Sequence, residues 1–129
     1  MLDFLNPPQR TAVLHAQGPL LVLAGAGSGK TRVIVEKIAY LIETGRYSAR
    51  RVAAITFTNK SAKEMRERVG KRLRGEVASE VTICTFHALG LKFLQIEHAS
   101  VGLKRSFSIF DADDASAQIK DLLGGTNAK

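Results

Sequence analysis

Tryptophan is absent and cysteine nearly so, with Cys84 the single thiol among 129 residues. One thiol excludes an intrachain disulfide and points to a reducing compartment. No uninterrupted apolar run is long enough to cross a bilayer,. Met1-Leu2-Asp3-Phe4-Leu5 lacks the charged and apolar regions of a signal peptide,. A cytoplasmic chain with no membrane partner is therefore expected. His15, His87 and His98 have no companion ligands at metal spacing, which reads against a zinc site,. Acidic residues are also in short supply: 12 Asp and Glu face 19 Lys and Arg, for a net charge of +7.

The excess of base is local. Lys60, Lys63, Arg66, Arg68, Lys71, Arg72 and Arg74 stand against only Glu64 and Glu67 in the same stretch. Such a block suits a polyanionic partner, nucleic acid above all. It equally suits a solvated helix face with i,i+4 pairs such as Glu64 with Arg68.

The strongest local pattern is Ala24-Gly25-Ala26-Gly27-Ser28-Gly29-Lys30-Thr31, between the apolar run Leu20-Leu21-Val22-Leu23 and a helical pattern from Arg32. Strand, glycine-rich loop and helix in that order make a P-loop. Glycines let backbone N–H groups turn inward on phosphate oxygens, helped by the positive end of the following helix. Lys30 brings a point charge to the β- and γ-phosphates, and the Thr31 hydroxyl is a ligand for Mg²⁺. Ala24 stands where the common pattern has glycine. The loop binds a nucleoside triphosphate.

The rest of the chain supplies a frame for that loop. Asn6-Pro7-Pro8-Gln9 predicts a capped helix start, with Ala12, Val13 and Ala16 as its apolar stripe and Gly18-Pro19 as its end. Residues 20–24, 52–57 and 81–85 predict strands buried on both faces of a parallel sheet. Between them, Val33, Ile34, Ile38, Leu41 and Ile42 predict one helix, stopped at Gly45. Ala62, Met65, Val69 and Leu73 predict another, capped by Thr58 and Asn59. The fold class is α/β, with right-handed crossovers. Cys84 is expected to be a small buried hydrophobe. Residues 86–99 read as a helix apolar nearly all round, through Leu89, Leu91, Phe93, Leu94 and Ile96. A last helix is expected to be capped by Asp111 or Asp113, with Ala115, Ile119, Leu122 and Leu123 on its buried face.

A P-loop hydrolase also needs an acid at the end of a second buried strand. The one candidate tract is Phe107-Ser108-Ile109-Phe110-Asp111-Ala112-Asp113-Asp114. Lys104-Arg105-Ser106 before it make a poor buried strand, and aspartates suit a helix N-terminus, so capping is the better reading. A calcium loop fails too, since Leu122 stands where Glu is required,. Gln9 can serve as the capping-box residue, or its amide can read an adenine edge through donor and acceptor. Phe57 can be core, or can lie at the carboxyl edge of the sheet, where ligands of open α/β sheets bind. Thr85-Phe86-His87 occupies the equivalent edge of the next strand.

Four segments stand together in order: Leu5-Asn6 with Gln9; Ala24 to Thr31; Thr56-Phe57-Thr58-Asn59-Lys60-Ser61-Ala62 with Glu64-Met65; and Thr85-Phe86-His87. They resemble the opening motifs of the superfamily 1 DNA helicases of the UvrD, PcrA and Rep type. The likeness runs from residue 2 to about 115, and Phe107-Ser108-Ile109-Phe110-Asp111 looks most like the Rep branch. In that family Ala at the first P-loop position is ordinary, while Ser61 stands where Ala is more usual.

The resemblance implies a RecA-like ATP-binding fold and a 3′–5′ DNA helicase using ATP and Mg²⁺ on single-stranded DNA, in replication or repair. It implies base contacts from Gln9 and Arg32, and phosphate contacts along Ala24, Gly25, Ala26, Gly27, Ser28 and Gly29. Lys30 and Thr31 become the catalytic pair, with Thr31 on the metal. Phe57, Thr58, Asn59, Thr85, Phe86 and His87 match positions that meet DNA, where an exposed Phe can stack on any base. Residues 1–88 correspond to the N-terminal part of the first RecA-like domain, and 89–129 to the start of an inserted helical subdomain. The chain thus resembles an N-terminal fragment of a much longer helicase, expected to be inactive alone. A small-molecule kinase or GTPase remains a rival, although Asn59-Lys60-Ser61-Ala62 lacks the Asp of a guanine-reading motif. A non-catalytic nucleotide- or DNA-binding module is the other.

Overall fold

The computed structural model describes residues 2–126. They divide into two compact units, one ending at Gly90 and the other beginning at Leu91.

In the first unit, α1 (Pro7–Leu14) starts as its sequence predicts. The Asn6 side chain accepts from Gln9 N at 3.0 Å, and Gln9 Oε1 accepts from Asn6 N at 3.1 Å. This reciprocal pair satisfies two donors that a helix start otherwise leaves open. Ala12 and Val13 are buried, while Ala16 lies past the helix end and is half-buried. The next helix, α2 (Lys30–Glu43), begins at Gly29 and ends at Thr44, just before Gly45 at φ 68°. A short 3-10 turn (Ala49–Arg51) leads into β1 (Ala53–Thr56). Thr58 then caps α3 (Asn59–Leu73), its Oγ1 accepting from Ser61 N at 3.1 Å. A short helix, α4 (Glu76–Glu80), precedes β2 (Thr82–Thr85).

β1 and β2 pair in parallel, with Ala54 opposite Ile83 and Thr56 opposite Thr85. These four side chains are buried, while Ile55 and Cys84 on the other face are only half-buried. The reason lies in what covers the sheet. Val35 and Ile38 of α2 and Met65 and Val69 of α3 join Ala54 and Ile83 in a single apolar cluster. A second cluster, Leu2, Leu5, Ala12, Val13 and Val33, sets α1 against the start of α2. α2 therefore belongs to both.

The strand expected over residues 20–24 does not form. Among the described residues the sheet has two strands, and residues 20–24 run without ladder bonds into the loop. Leu21 is 82% and Leu23 87% exposed. A buried strand needs a neighbour for its N–H and C=O groups and a layer over each face, and β1 and β2 pair only with each other. Sheet burial on both faces is likewise replaced by burial on one.

α5 (Phe86–Glu97) spans the boundary between the units. Its apolar surface is largely open, with Phe93 and Ile96 exposed, so packing on several sides is not found. In the second unit, α6 (Ala112–Thr126) is capped by Asp111, whose Oδ1 accepts from Asp114 N at 2.8 Å. Its expected core face is also exposed at Ile119, Leu122 and Leu123. No described helix is long and apolar enough to cross a membrane.

Candidate nucleotide site and strand-edge aromatics

The glycine-rich loop turns where glycine is needed. Gly27 at φ 74° and Gly29 at φ 79° take left-handed backbone that an L side chain resists,. A Cβ on Gly29 would also stand 2.9 Å from Gln9 Nε2. The loop folds on itself through Ser28, whose Oγ donates to Gly25 O at 2.6 Å and whose N–H reaches the same oxygen at 3.3 Å. Lys30 Nζ donates to Ala24 O at 3.0 Å, so its ammonium lies against the loop's own backbone. Thr31 follows in the first turn of α2 and is half-buried.

This donor set fits a polyphosphate with a hard cation. It combines the Lys30 ammonium, the Thr31 hydroxyl of the next residue and glycines with no side chain between backbone and ligand,. Among the described residues no group of carboxylates, histidines and cysteines could hold a metal on its own.

Gln9 does two things at once. Its Oε1 completes the α1 cap, and its Nε2 donates to Ser28 O at 3.0 Å. The capping reading holds, and the same side chain touches the loop. A cavity of about 500 Å³ opens here, lined by the polar side chains of Gln9, Ser28 and Lys30 and by the apolar ones of Leu20, Val22, Ala24, Val33 and Ile34. Arg32, exposed on the first turn of α2, lies over the Phe4 ring with Cζ 4.8 Å from the centroid.

The second group of residues gathers at one sheet edge. Phe57 follows Thr56 and Phe86 follows Thr85, and those two threonines are direct partners in the ladder. The rings therefore leave adjacent strands at the same end. Phe57 is 94% exposed and Phe86 66%, which removes the core reading of Phe57. Thr58, Asn59 and His87 are exposed beside them. Thr85 differs: its side chain is buried, and its Oγ1 accepts from Ala88 N at 3.2 Å at the start of α5.

The basic block needs one correction. Arg72 does not point to solvent with the rest. Its Nε donates to Glu36 at 2.9 Å and its two terminal nitrogens to Glu43 at 2.7 and 3.0 Å. Hydrogen bonds to Glu43 and then Glu36 hold its pKa far above the ordinary value. Lys60, Lys63, Arg66, Arg68, Lys71 and Arg74 remain exposed. The one local sign of this clamp is that Glu36 and Glu43 lie two turns apart on the same side of α2,. Lys37 was also not foreseen. It donates to Ala12 O at 2.8 Å and to His15 O, tying α2 to the end of α1.

Comparison with known proteins places these features in a family. Residues 5–129 match the UvrD/REP helicase N-terminal domain. Over 121 residues, 94% of the chain, it is 54% identical to the ATP-dependent DNA helicase Rep of Escherichia coli strain K12, and covers 18% of that protein. The Rep helicase of Salmonella typhimurium gives the same 54% over 94% of the chain and 18% of the relative. The ATP-dependent DNA helicase PcrA of Staphylococcus aureus strain Mu50 is 45% identical over 127 residues, 98% of the chain and 17% of the relative. The match covers the loop, the α1 cap and the two aromatic strand ends together, and the chain belongs to the UvrD/REP helicase N-terminal domain family.

Proposed function

We propose that the whole protein is an ATP-dependent DNA helicase that translocates 3′ to 5′ on single-stranded DNA. In this reading residues 1–88 form the N-terminal part of its first RecA-like domain, and 89–129 open a helical subdomain. The observation that carries it is the pairing, within one unit, of a P-loop at the head of α2 with two exposed aromatic rings at the ends of adjacent strands. The names of the Rep and PcrA relatives support both the ATP and the DNA. A cytoplasmic location fits that work.

Each residue then has a task. Lys30 leaves Ala24 O and moves to the β- and γ-phosphates, exchanging a neutral acceptor for an anionic one,. The backbone of residues 24–29 closes on the phosphate oxygens. Thr31 would hold Mg²⁺, which neutralises phosphate charge when bound. Gln9 and Arg32 meet the base. Gln9 keeps a second lone pair on Oε1 and a second N–H on Nε2 for adenine beside its bonds to the Asn6 N–H and Ser28 O,, which links base recognition to the loop. Phe57 and Phe86 stack on bases, with Thr58, Asn59, His87 and the Thr85 strand end shaping the path. Stacking ignores base identity, as movement along any sequence requires.

The test uses the whole protein and the 129-residue chain side by side. DNA-stimulated ATP hydrolysis is expected from the former, lost on Lys30→Ala, and negligible in the latter. Phe57→Ala is expected to weaken single-strand binding by about 1–3 kcal/mol in fluorescence anisotropy, with the salt dependence nearly unchanged. Unwinding of 3′-tailed but not 5′-tailed duplexes reports the direction. Normal folding and wild-type DNA affinity in Phe57→Ala would remove the strand edge from the DNA path.

A further inference from the structure

The first turn of α2 carries a cation where helix electrostatics disfavour one. Arg32 is the third residue of that helix, at the positive end of its dipole,. No carboxylate pairs with it among the described residues. What holds it is an aromatic face. Its Cζ stands 4.8 Å from the centroid of Phe4, within cation–π range.

Phe4 is itself held in an unusual way. Leu2 and Leu5 on either side of it are buried, and Leu5 N donates to Leu2 O at 3.1 Å. This turn is anchored at both ends, yet the ring between them is 47% exposed. So Phe4 adds little to the core and presents a fixed ring to Arg32. The same turn runs directly into Asn6 and Gln9, and Gln9 reaches the loop at Ser28. A free arginine side chain loses much rotamer freedom on being ordered. One already stacked has lost it beforehand, and a planar guanidinium with one face covered offers its other face to a second flat ring.

We propose that Phe4 is a positioning residue for nucleotide recognition, fixing the Arg32 guanidinium as a platform on which a purine base stacks beside the phosphate loop. This rests on the reading of Arg32 as a base contact and adds the residue that sets its geometry. Phe4 acts through Arg32 and makes no contact with the phosphates. Its effect is therefore confined to ligands that carry a base.

The experiment measures displacement of a fluorescent ATP analogue from the whole protein by ATP and, separately, by inorganic tripolyphosphate, with Mg²⁺ present. Phe4→Ala is expected to weaken ATP roughly two- to fivefold, the range of an exposed cation–π contact. Tripolyphosphate competition stays as in the wild type. Phe4→Leu, which keeps apolar bulk in the turn but has no π face, behaves like Phe4→Ala, and Phe4→Trp restores the wild-type value. Unchanged ATP affinity in both Phe4→Ala and Phe4→Leu, or an equal loss for ATP and tripolyphosphate, overturns the proposal. Arg32→Ala separates the two levels. If it selectively weakens ATP while both Phe4 variants do not, only the role of Phe4 fails; if it leaves ATP untouched, the base reading of Arg32 fails with it.

Discussion

Lys37 shows how a single side chain can join two elements. Its ammonium caps the last carbonyls of α1 from the middle of α2, at Ala12 O and His15 O, where helical carbonyls have no partner of their own. Partial burial holds its pKa below the ordinary 10.5. Between that lowered value and 10.5 the unfolded chain binds more protons than the folded one, so stability rises with pH across the window. Lys37→Met is expected to cost about 1–2 kcal/mol at neutral pH through the two lost hydrogen bonds. In urea titrations its gap to the wild type should widen towards pH 10.5,. Residues whose roles are local were legible in the sequence: Asn6, Pro7 and Gln9 spell a capping box, and Gly29-Lys30-Thr31 a helix start after a glycine turn. The bond from Gln9 to Ser28 and the stack of Arg32 on Phe4 were not, because each joins positions that only the packing of α1 on α2 brings together.

At the scale of elements, the clamp between α2 and α3 carries the clearest expectation. Glu36 is buried, and Arg72 is the cation that satisfies it while gripping Glu43 with both terminal nitrogens. Removing one member of such a group leaves the other buried and uncompensated. Arg72→Met should therefore destabilise the chain by about 2–3 kcal/mol, and Arg72→Met with Glu36→Leu should recover most of the loss. Thermal melts of the single and double variants measure this, and Lys63→Met, on the exposed side of the same helix, serves as the comparison. α2, α3, β1 and β2 were readable because each has a clean period and a cap. Residues 20–24 and the apolar sides of α5 and α6 were misread for a common reason. An apolar run says that a surface suits burial and does not say what covers it. Leu21, Leu23, Phe93 and Leu122 are exposed in this structure despite such runs.

Across the molecule, the matched relatives are far longer, and the chain spans 18% of the Rep helicase of E. coli. Within that span the first unit holds both the glycine-rich loop and the aromatic strand edge, together with a core shared by α2, α3 and the sheet. Its two strands have no hairpin between them. Parallel partners such as Ala54 and Ile83 meet only once the whole of α3 and α4 has crossed over, so no ladder bond can form early from neighbouring residues. The cost of closing that long loop falls before any strand pairing offsets it. The sheet and α3 should consequently open as one cooperative unit. In native-state hydrogen exchange, the ladder amides of β1 and β2 and the amides around Met65 and Val69 are expected to share a single opening free energy. The amides of residues 21–23 should exchange without protection. Split values within the sheet and α3 would mean that the two strands hold together without their crossover.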